Sequence, residues 1–182
     1  MEYLAGLILG DGQIEPKRIT ITDEYREFLN EVKKRVEQYL SLTPTLKKRS
    51  NANAWYMRIY SVNLVRTLKP LINKLYGRPT LNFIRGFYDA EGTIYNDSGY
   101  WVIEISQRDP IIIANLSNGL RDQCIYGYIK RREYHDKRRD RKYAKYVLVL
   151  KRKSTVYRFL TLIGLRHIKH ISVVKSPRPR PL

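Results

Sequence analysis

The chain has 182 residues, 43% of them apolar, enough for one ordinary domain or two small ones sharing a core. Its 35 lysines and arginines against 17 acids give a formal charge of +18, which points to a polyanionic partner, either nucleic acid or an anionic membrane surface. The lone Cys124 excludes an internal disulfide framework and reads as a buried free thiol in a reducing interior, and no stretch approaches the roughly 20 apolar residues of a membrane span. The expectation is a soluble intracellular protein of the cytoplasm, nucleoid or an organelle, with no membrane partner.

The chain opens on LAGLILGDG, residues 4 to 12, an apolar helix ending in Gly-Asp-Gly. RITIT follows, a one-sided strand with Ile19 and Ile21 facing the core. Asp23 sits where an N-cap belongs, before a helix with Phe28, Leu29, Val32, Val36 and Leu40 at helical spacing. TPTLKKR and WYMRIYS are strand candidates joined by the turn SNAN, and the helix VNLVRTLKPLINKLY closes the unit before Gly77 and Pro79. The order then repeats. IRGFYDAEG, residues 84 to 92, is a second apolar helix; TIYNDSGYWVIEIS is a hairpin turning at Asn96 to Gly99; Asp109 caps the next helix. YGYIKRREY and KYAKYVLVLK form a strand pair, and STVYRFLTLIGL is the closing helix.

Matching ITITD to ISQRD shifts the numbering by 86, and matching YMRIYS to YVLVLK shifts it by 90. The chain therefore reads as an internal duplication, each copy αββαββα, with repeats at 1–78 and 79–174 and an extended Pro/Arg tail at 175–182. The second half is the more basic, with 20 basic and 7 acidic side chains from 92 onward against 15 and 10 before it.

Gly6 and Gly10 lie four apart, as do Gly86 and Ala90, so each motif helix carries a smooth stripe where a second backbone can approach. Leu4, Leu7 and Ile8, like Ile84, Phe87 and Tyr88, would anchor each helix in its own half. If the stripes meet at Gly6 and Gly86, the helix ends meet too. Gly12 and Gly92 would then act as left-handed caps, and Asp11 and Glu91 would stand at neighbouring C-termini. Two carboxylates at the negative ends of two helix dipoles call for a hard divalent cation, Mg²⁺ or Mn²⁺.

LAGLILGDG and IRGFYDAEG together resemble the two signature motifs of the LAGLIDADG homing endonucleases in their single-chain form, and the order of elements after each motif resembles that family over nearly the whole chain. The resemblance implies an α+β saddle of two antiparallel sheets with the motif helices packed at its centre. It implies hydrolysis of one phosphodiester in each strand of a long double-stranded DNA site, leaving short 3′ overhangs, by one chain acting as a monomer. The eighth motif residue, the family's essential acid, falls on Asp11 and Glu91, and the carbonyls of Gly10 and Ala90 help ligate metal. SQR at 106 to 108 resembles the segment that supports the active site, through Gln107, whereas copy one has Ile21, Thr22 and Asp23 there. The family also places a lysine near the metals, for which Lys74, Lys151 and Lys169 are the candidates.

DNA contact is expected from strand and turn residues facing away from the helices: Gln13, Lys17, Arg18, Thr20, Lys47, Arg49, Tyr56 and Arg58 in copy one, and Tyr95, Arg108, Lys130, Arg132 and Lys142 in copy two. The run from 130 to 145 reads as a basic loop poised for phosphate. Tyr39 and Tyr157 read as core or boundary residues, Asp89 as helix-face polarity, and His135, His167 and His170 lack metal-ligand spacing. No Gly-Lys-Ser/Thr follows either glycine cluster, which excludes a phosphate loop. Two other readings stay open: a maturase acting on intron RNA, and a DNA-binding protein without cleavage chemistry.

Overall fold

The computed structural model describes residues 1–50, 52–136 and 140–175. Copy one runs α1 (Glu2–Asp11), β1 (Gly12–Ile14), β2 (Arg18–Asp23), α2 (Arg26–Leu40), β3 (Thr45–Lys48), β4 (Trp55–Tyr60) and α3 (Val62–Gly77). Copy two runs α4 (Leu81–Glu91), β5 (Gly92–Asp97), β6 (Tyr100–Gln107), α5 (Pro110–Arg121), β7 (Tyr128–Asp136), β8 (Arg141–Leu150) and α6 (Lys153–Leu162), and α7 (Ile168–Lys175) follows.

Local sequence accounts for most boundaries. Ser61 Oγ accepts from Leu64 N at 3.1 Å to start α3, and Thr80 Oγ1 accepts from Phe83 N at 3.3 Å to start α4. Asp109 Oδ1 accepts from Ile111 N at 2.9 Å, with Pro110 in the first helical turn where its missing N–H costs nothing. The β5–β6 hairpin turns through Ser98 and Gly99, at φ 54° and 91°, and Asn96 Oδ1 accepts from Gly99 N at 2.8 Å. Two successive left-handed residues match the twist of a two-residue hairpin, and glycine takes the second at no steric cost.

Each copy folds into a four-stranded antiparallel sheet, ordered β1-β2-β4-β3 in one and β5-β6-β8-β7 in the other, and the two sheets form a saddle on either side of the packed α1 and α4. One face of each sheet is apolar: Ile19, Ile21, Met57 and Ile59 in the first and Ile103, Ile105, Leu148 and Leu150 in the second join the helices in one continuous core. The opposite face carries the residues that alternate with them, mostly polar in the first sheet and, in the second, set around buried Val102, Val147 and Val149.

Several expectations are corrected. In copy one the residues after the motif also form a strand, β1, so both copies open on a hairpin. Asp23 does not cap α2, which starts three residues later; its Oδ1 accepts from Tyr25 N at 2.7 Å in a local turn. Gly12 and Gly92 are extended, at φ −105° and −85°. Glycine is needed there because a Cβ on Gly12 would lie 2.6 Å from Ile8 Cα, and one on Gly92 would lie 2.4 Å from Tyr88 O. Tyr39 and Tyr157 are 71% and 72% exposed, and Cys124 is also exposed. Most of the 130–145 run is strand, and its residues 137–139 lie outside the described set, as do Asn51 of the SNAN turn and residues 176–182 of the tail.

Candidate active site at the helix seam

The seam between α1 and α4 is a backbone contact. A Cβ added to Gly6 would sit 2.0 Å from Phe83 O and 2.8 Å from Phe87 N; one added to Gly86 would sit 2.0 Å from Tyr3 O and 2.9 Å from Leu7 N. Adding 80 to the copy-one number and subtracting 80 from the copy-two number in one contact gives the other contact. This reciprocity is the signature of a two-fold axis, here internal to one chain. Gly10 faces Ala90, its own symmetry mate, with an added Cβ only 2.4 Å from Ala90 Cβ. The pseudo-dyad therefore passes between these two residues, and the next residues, Asp11 and Glu91, flank it.

Both carboxyls are pushed upward. Burial is the main cause for Asp11, reinforced by Glu91 and Asp23 against the opposing charge of Lys169, and it reaches about 7. Burial likewise raises Glu91, against Lys145, a hydrogen bond from Gln107, and Lys169. The site thus holds two acids where ionisation is disfavoured. A divalent cation relieves that, and two carboxylates with nearby carbonyls are the partial donor set that Mg²⁺ accepts while its other positions go to water and phosphate oxygens. Among the described residues no group of three or more His, Cys, Asp or Glu could hold a metal unaided, so the remaining ligands would come from a bound substrate.

The surroundings differ between the halves. Gln107 Nε2 donates to Glu91 Oε1 at 2.7 Å, and Gln107 Oε1 accepts from Arg108 N at 2.8 Å, which fixes the amide. In register, Ile21 faces Gly12 and Ile105 faces Gly92, so β2 and β6 superpose with an offset of 84 rather than 86. The copy-one counterpart of Gln107 is therefore Asp23, not Ile21. Asp23 Oδ2 lies 2.9 Å from His167 Nε2, and His167 is fully buried, its ring stacked on Phe28 at 4.0 Å.

Of the three candidate lysines, Lys169 is at the site: its Nζ donates to Ala90 O at 3.0 Å. Lys151 instead pairs with Asp97 at 3.2 Å, and Lys74 lies in the last turn of α3. Lys145, whose charge is the largest favourable influence on Glu91, was not among the candidates. Both site lysines come from copy two. Asp89 does more than lend polarity to a helix face: it is fully buried, accepting from Tyr3 OH at 2.8 Å and from His167 N at 3.2 Å, and so ties α1, α4 and the start of α7 together. His170 is buried as well, and burial pushes its imidazole down to about 3, so it packs as a neutral ring against Tyr88.

On the first sheet, Gln13 pairs with Thr20, Thr20 with Arg58 and Lys47 with Tyr56, so these residues and Arg18 share the face away from the helices. Arg58 lies over the Tyr56 ring at 4.5 Å, and Arg18 bonds Glu15. Lys17 and Arg49 lie just outside the strands. On the second sheet, Tyr95, Lys130 and Arg132 occupy the equivalent face, around a small apolar patch of Val102, Val147 and Val149. Lys142 is set apart, since it pairs with His135 and alternates to the opposite face. Arg108 lies past the end of β6, over the Tyr143 ring at 4.1 Å. No described helix is long and apolar enough to cross a membrane.

Two α+β repeats joined across a glycine seam, with paired acids on the dyad, define a pseudo-symmetric two-motif protein. The chain belongs to the LAGLIDADG-like domain family, whose model matches residues 1–73 and 78–164. Among solved structures, the homing endonuclease I-DmoI in complex with DNA and Mn is similar at 18% identity, covering 92% of this chain and 97% of that one, with a TM-score of 0.64. I-DmoI in complex with DNA and Ca is similar at 16% identity over 96% of both chains, with a TM-score of 0.67. Full-length DUF199/WhiA from Thermatoga maritima is similar at 16% identity over 96% of this chain and 57% of its own, with a TM-score of 0.64. At these identities the likeness establishes a shared fold. No curated protein sequence matches the chain.

Proposed function

We propose that the protein is a site-specific endonuclease that binds double-stranded DNA as a monomer and hydrolyses one phosphodiester in each strand, using Mg²⁺ or Mn²⁺. The observation that carries this reading is the placement of Asp11 and Glu91 on either side of an internal dyad, with both carboxyls raised by burial and that of Asp11 raised further by the charge of Glu91. DNA strands of opposite polarity are themselves related by a dyad, so acids set this way address one phosphodiester on each strand.

Asp11 and Glu91, with the carbonyls of Gly10 and Ala90, are the groups that would hold the cation. When bound, a divalent cation there polarises the scissile phosphate and lowers the pKa of an attacking water. Gln107 orients Glu91 by holding Oε1, which leaves Oε2 free to ligate. His167 holds Asp23 in the corresponding place beside Asp11. Lys169, held on the Ala90 carbonyl, and Lys145 bring positive charge to the centre, where negative charge grows on the phosphate as its bond to the leaving oxygen breaks.

The two repeats, 1–78 and 79–174, would each cover one half-site with the sheet face that carries the polar side chains. Gln13, Lys17, Arg18, Thr20, Lys47, Arg49, Tyr56 and Arg58 serve one half, and Tyr95, Arg108, Lys130 and Arg132 the other. The test is incubation with plasmids carrying sites selected from random duplexes, with Mg²⁺ and with chelator. Linear product only with metal supports the enzyme. Binding without cleavage in either Mg²⁺ or Mn²⁺ would leave a DNA-binding protein, and intron folding without DNA cleavage would indicate a maturase.

A further inference from the structure

On the DNA-facing side of the second sheet Glu104 is a buried acid, at a relative exposure of 7%. An acid on a face built for phosphate needs a reason. Its Oε1 accepts from Arg132 Nη2 at 2.6 Å, from Tyr95 OH at 3.0 Å and from Lys130 Nζ at 3.3 Å, and its Oε2 accepts from Arg132 Nη1 at 2.8 Å. Burial alone would raise this carboxyl, but the bonds from Arg132, Tyr95 and Lys130 outweigh it and hold it below the usual glutamate range. The carboxylate is held ionised, with Oε1 surrounded by three donors and Oε2 bonded to Arg132, so its contacts are spent on its neighbours.

What it can do is fix Arg132. The bidentate pair locks the guanidinium plane, while the side chain remains 36% exposed to the face. Glu104 uses one N–H of each terminal nitrogen, so the second N–H of each and the Nε–H are left for Tyr134, which also bonds this guanidinium, and for other partners. An arginine presenting two adjacent donors in a fixed plane matches O6 and N7 of guanine in the major groove. Lys130, anchored to the same carboxylate, has a single flexible ammonium and suits phosphate better.

The first sheet has no buried acid at the equivalent position; its forked arginine is Arg18, held by the half-buried Glu15 just before β2. With the register offset of 84, the counterpart of Glu104 is Thr20, which pairs with Arg58, and Arg58 rests on Tyr56. The two half-sites are thus read by differently supported arginines.

We infer that Glu104 is a positioning residue for sequence recognition: it holds Arg132 in the plane that reads one guanine in the half-site of the second repeat. The inference rests on the proposed DNA-binding function. A buried acid kept among cations lowers general attraction for phosphate, so its gain lies in selectivity. Removing it should therefore raise non-specific affinity and lower discrimination at a single base pair. A merely structural residue would lower both.

The experiment is selection from a randomised duplex library in Ca²⁺ with the native protein, Glu104→Gln and Arg132→Lys, followed by salt-matched binding to an unrelated duplex. The native protein should prefer guanine at one position by roughly five- to 150-fold, the range of one good bidentate pair. Both variants should lose that preference at the same position and keep it elsewhere, and Glu104→Gln should bind the unrelated duplex at least as tightly as the native chain. Loss at different positions, or no loss in either variant, overturns the role of Glu104. If Glu104→Gln fails to fold, Arg132→Lys still decides, because it keeps the charge and loses the fork: retained guanine preference overturns the inference. A native protein that selects no sequence overturns the DNA-binding reading itself.

Discussion

Asp11→Asn should stabilise the metal-free protein, by an amount that grows from about pH 4 to about pH 7 and is complete above that. A carboxyl raised in the folded state is protonated in both states below about pH 4, so it costs nothing there. As the pH climbs from its ordinary 3.8 to about 7, the folded chain retains a proton that the unfolded chain has released, and stability falls across that window and stays lower above it. At about 1.36 kcal/mol per pH unit the ceiling is about 4 kcal/mol, and partial solvation of the site reduces the expected effect to about 2 kcal/mol. Asparagine is never charged and escapes the penalty. For a chain of this size that corresponds to a melting temperature about 4–8 °C higher at pH 8, with no difference at pH 4. The assay is thermal or urea unfolding in chelator at both pH values. Adding Mg²⁺ should then stabilise the native chain more than the variant and narrow the gap, because the ligand favours the state that binds it. An asparagine variant no more stable than the native protein at pH 8 in chelator would refute the account of two acids held under mutual strain.

Gly6→Ala and Gly86→Ala should each cost about 3 kcal/mol, since the added Cβ would lie 2.0 Å from a backbone oxygen of the other helix; urea unfolding measures this. Gly77→Ala, whose Cβ meets nothing within 4 Å, is the control and should change stability by under about 1 kcal/mol. Binding to selected duplexes should weaken with salt at a slope steeper than about −3, as expected for four or more neutralised phosphates, and a shallower slope in a filter-binding titration would count against the DNA-facing sheets. Gln107→Ala should slow one strand roughly tenfold more than the other, because it frees Glu91 alone, leaving nicked plasmid before linear product; end-labelling each strand reads it directly, and equal slowing would remove the asymmetry.

Sequence periodicity carried the duplication, because an apolar run with small residues four apart has few other uses when it occurs twice. Asp11, Glu91, Gly6 and Gly86 followed from that pattern. The supporting residues did not. Asp23 was matched to Asp109 because both are followed by a helix, whereas strand pairing aligns it with Gln107; hairpins of different length hide such a shift from a linear comparison. Local sequence does not rank Lys169 above Lys74 and Lys151, because it reaches the site only through α7, whose trace in IKHISVVK is the helical spacing of Ile168, Ile171 and Val174. His167 and Asp89 are polar residues made buried by long-range partners, Asp23 and Tyr3 among them, and local sequence carries no trace of that. Lys145 faces the site through strand alternation, a signal that was present once β8 was placed.

The central claim is that Asp11 and Glu91 form a metal-dependent cleavage centre on DNA. The most direct measurement is cleavage of a plasmid bearing a selected site by the native protein, Asp11→Asn and Glu91→Gln in Mg²⁺, alongside binding of the same site in Ca²⁺. The account predicts linear product from the native chain, none from either variant, and affinities within about tenfold of one another, since each variant loses a metal ligand and few phosphate contacts. Cutting of both strands at the native rate by either variant, or tight binding by the native protein with no cleavage in Mg²⁺ or Mn²⁺, would contradict it.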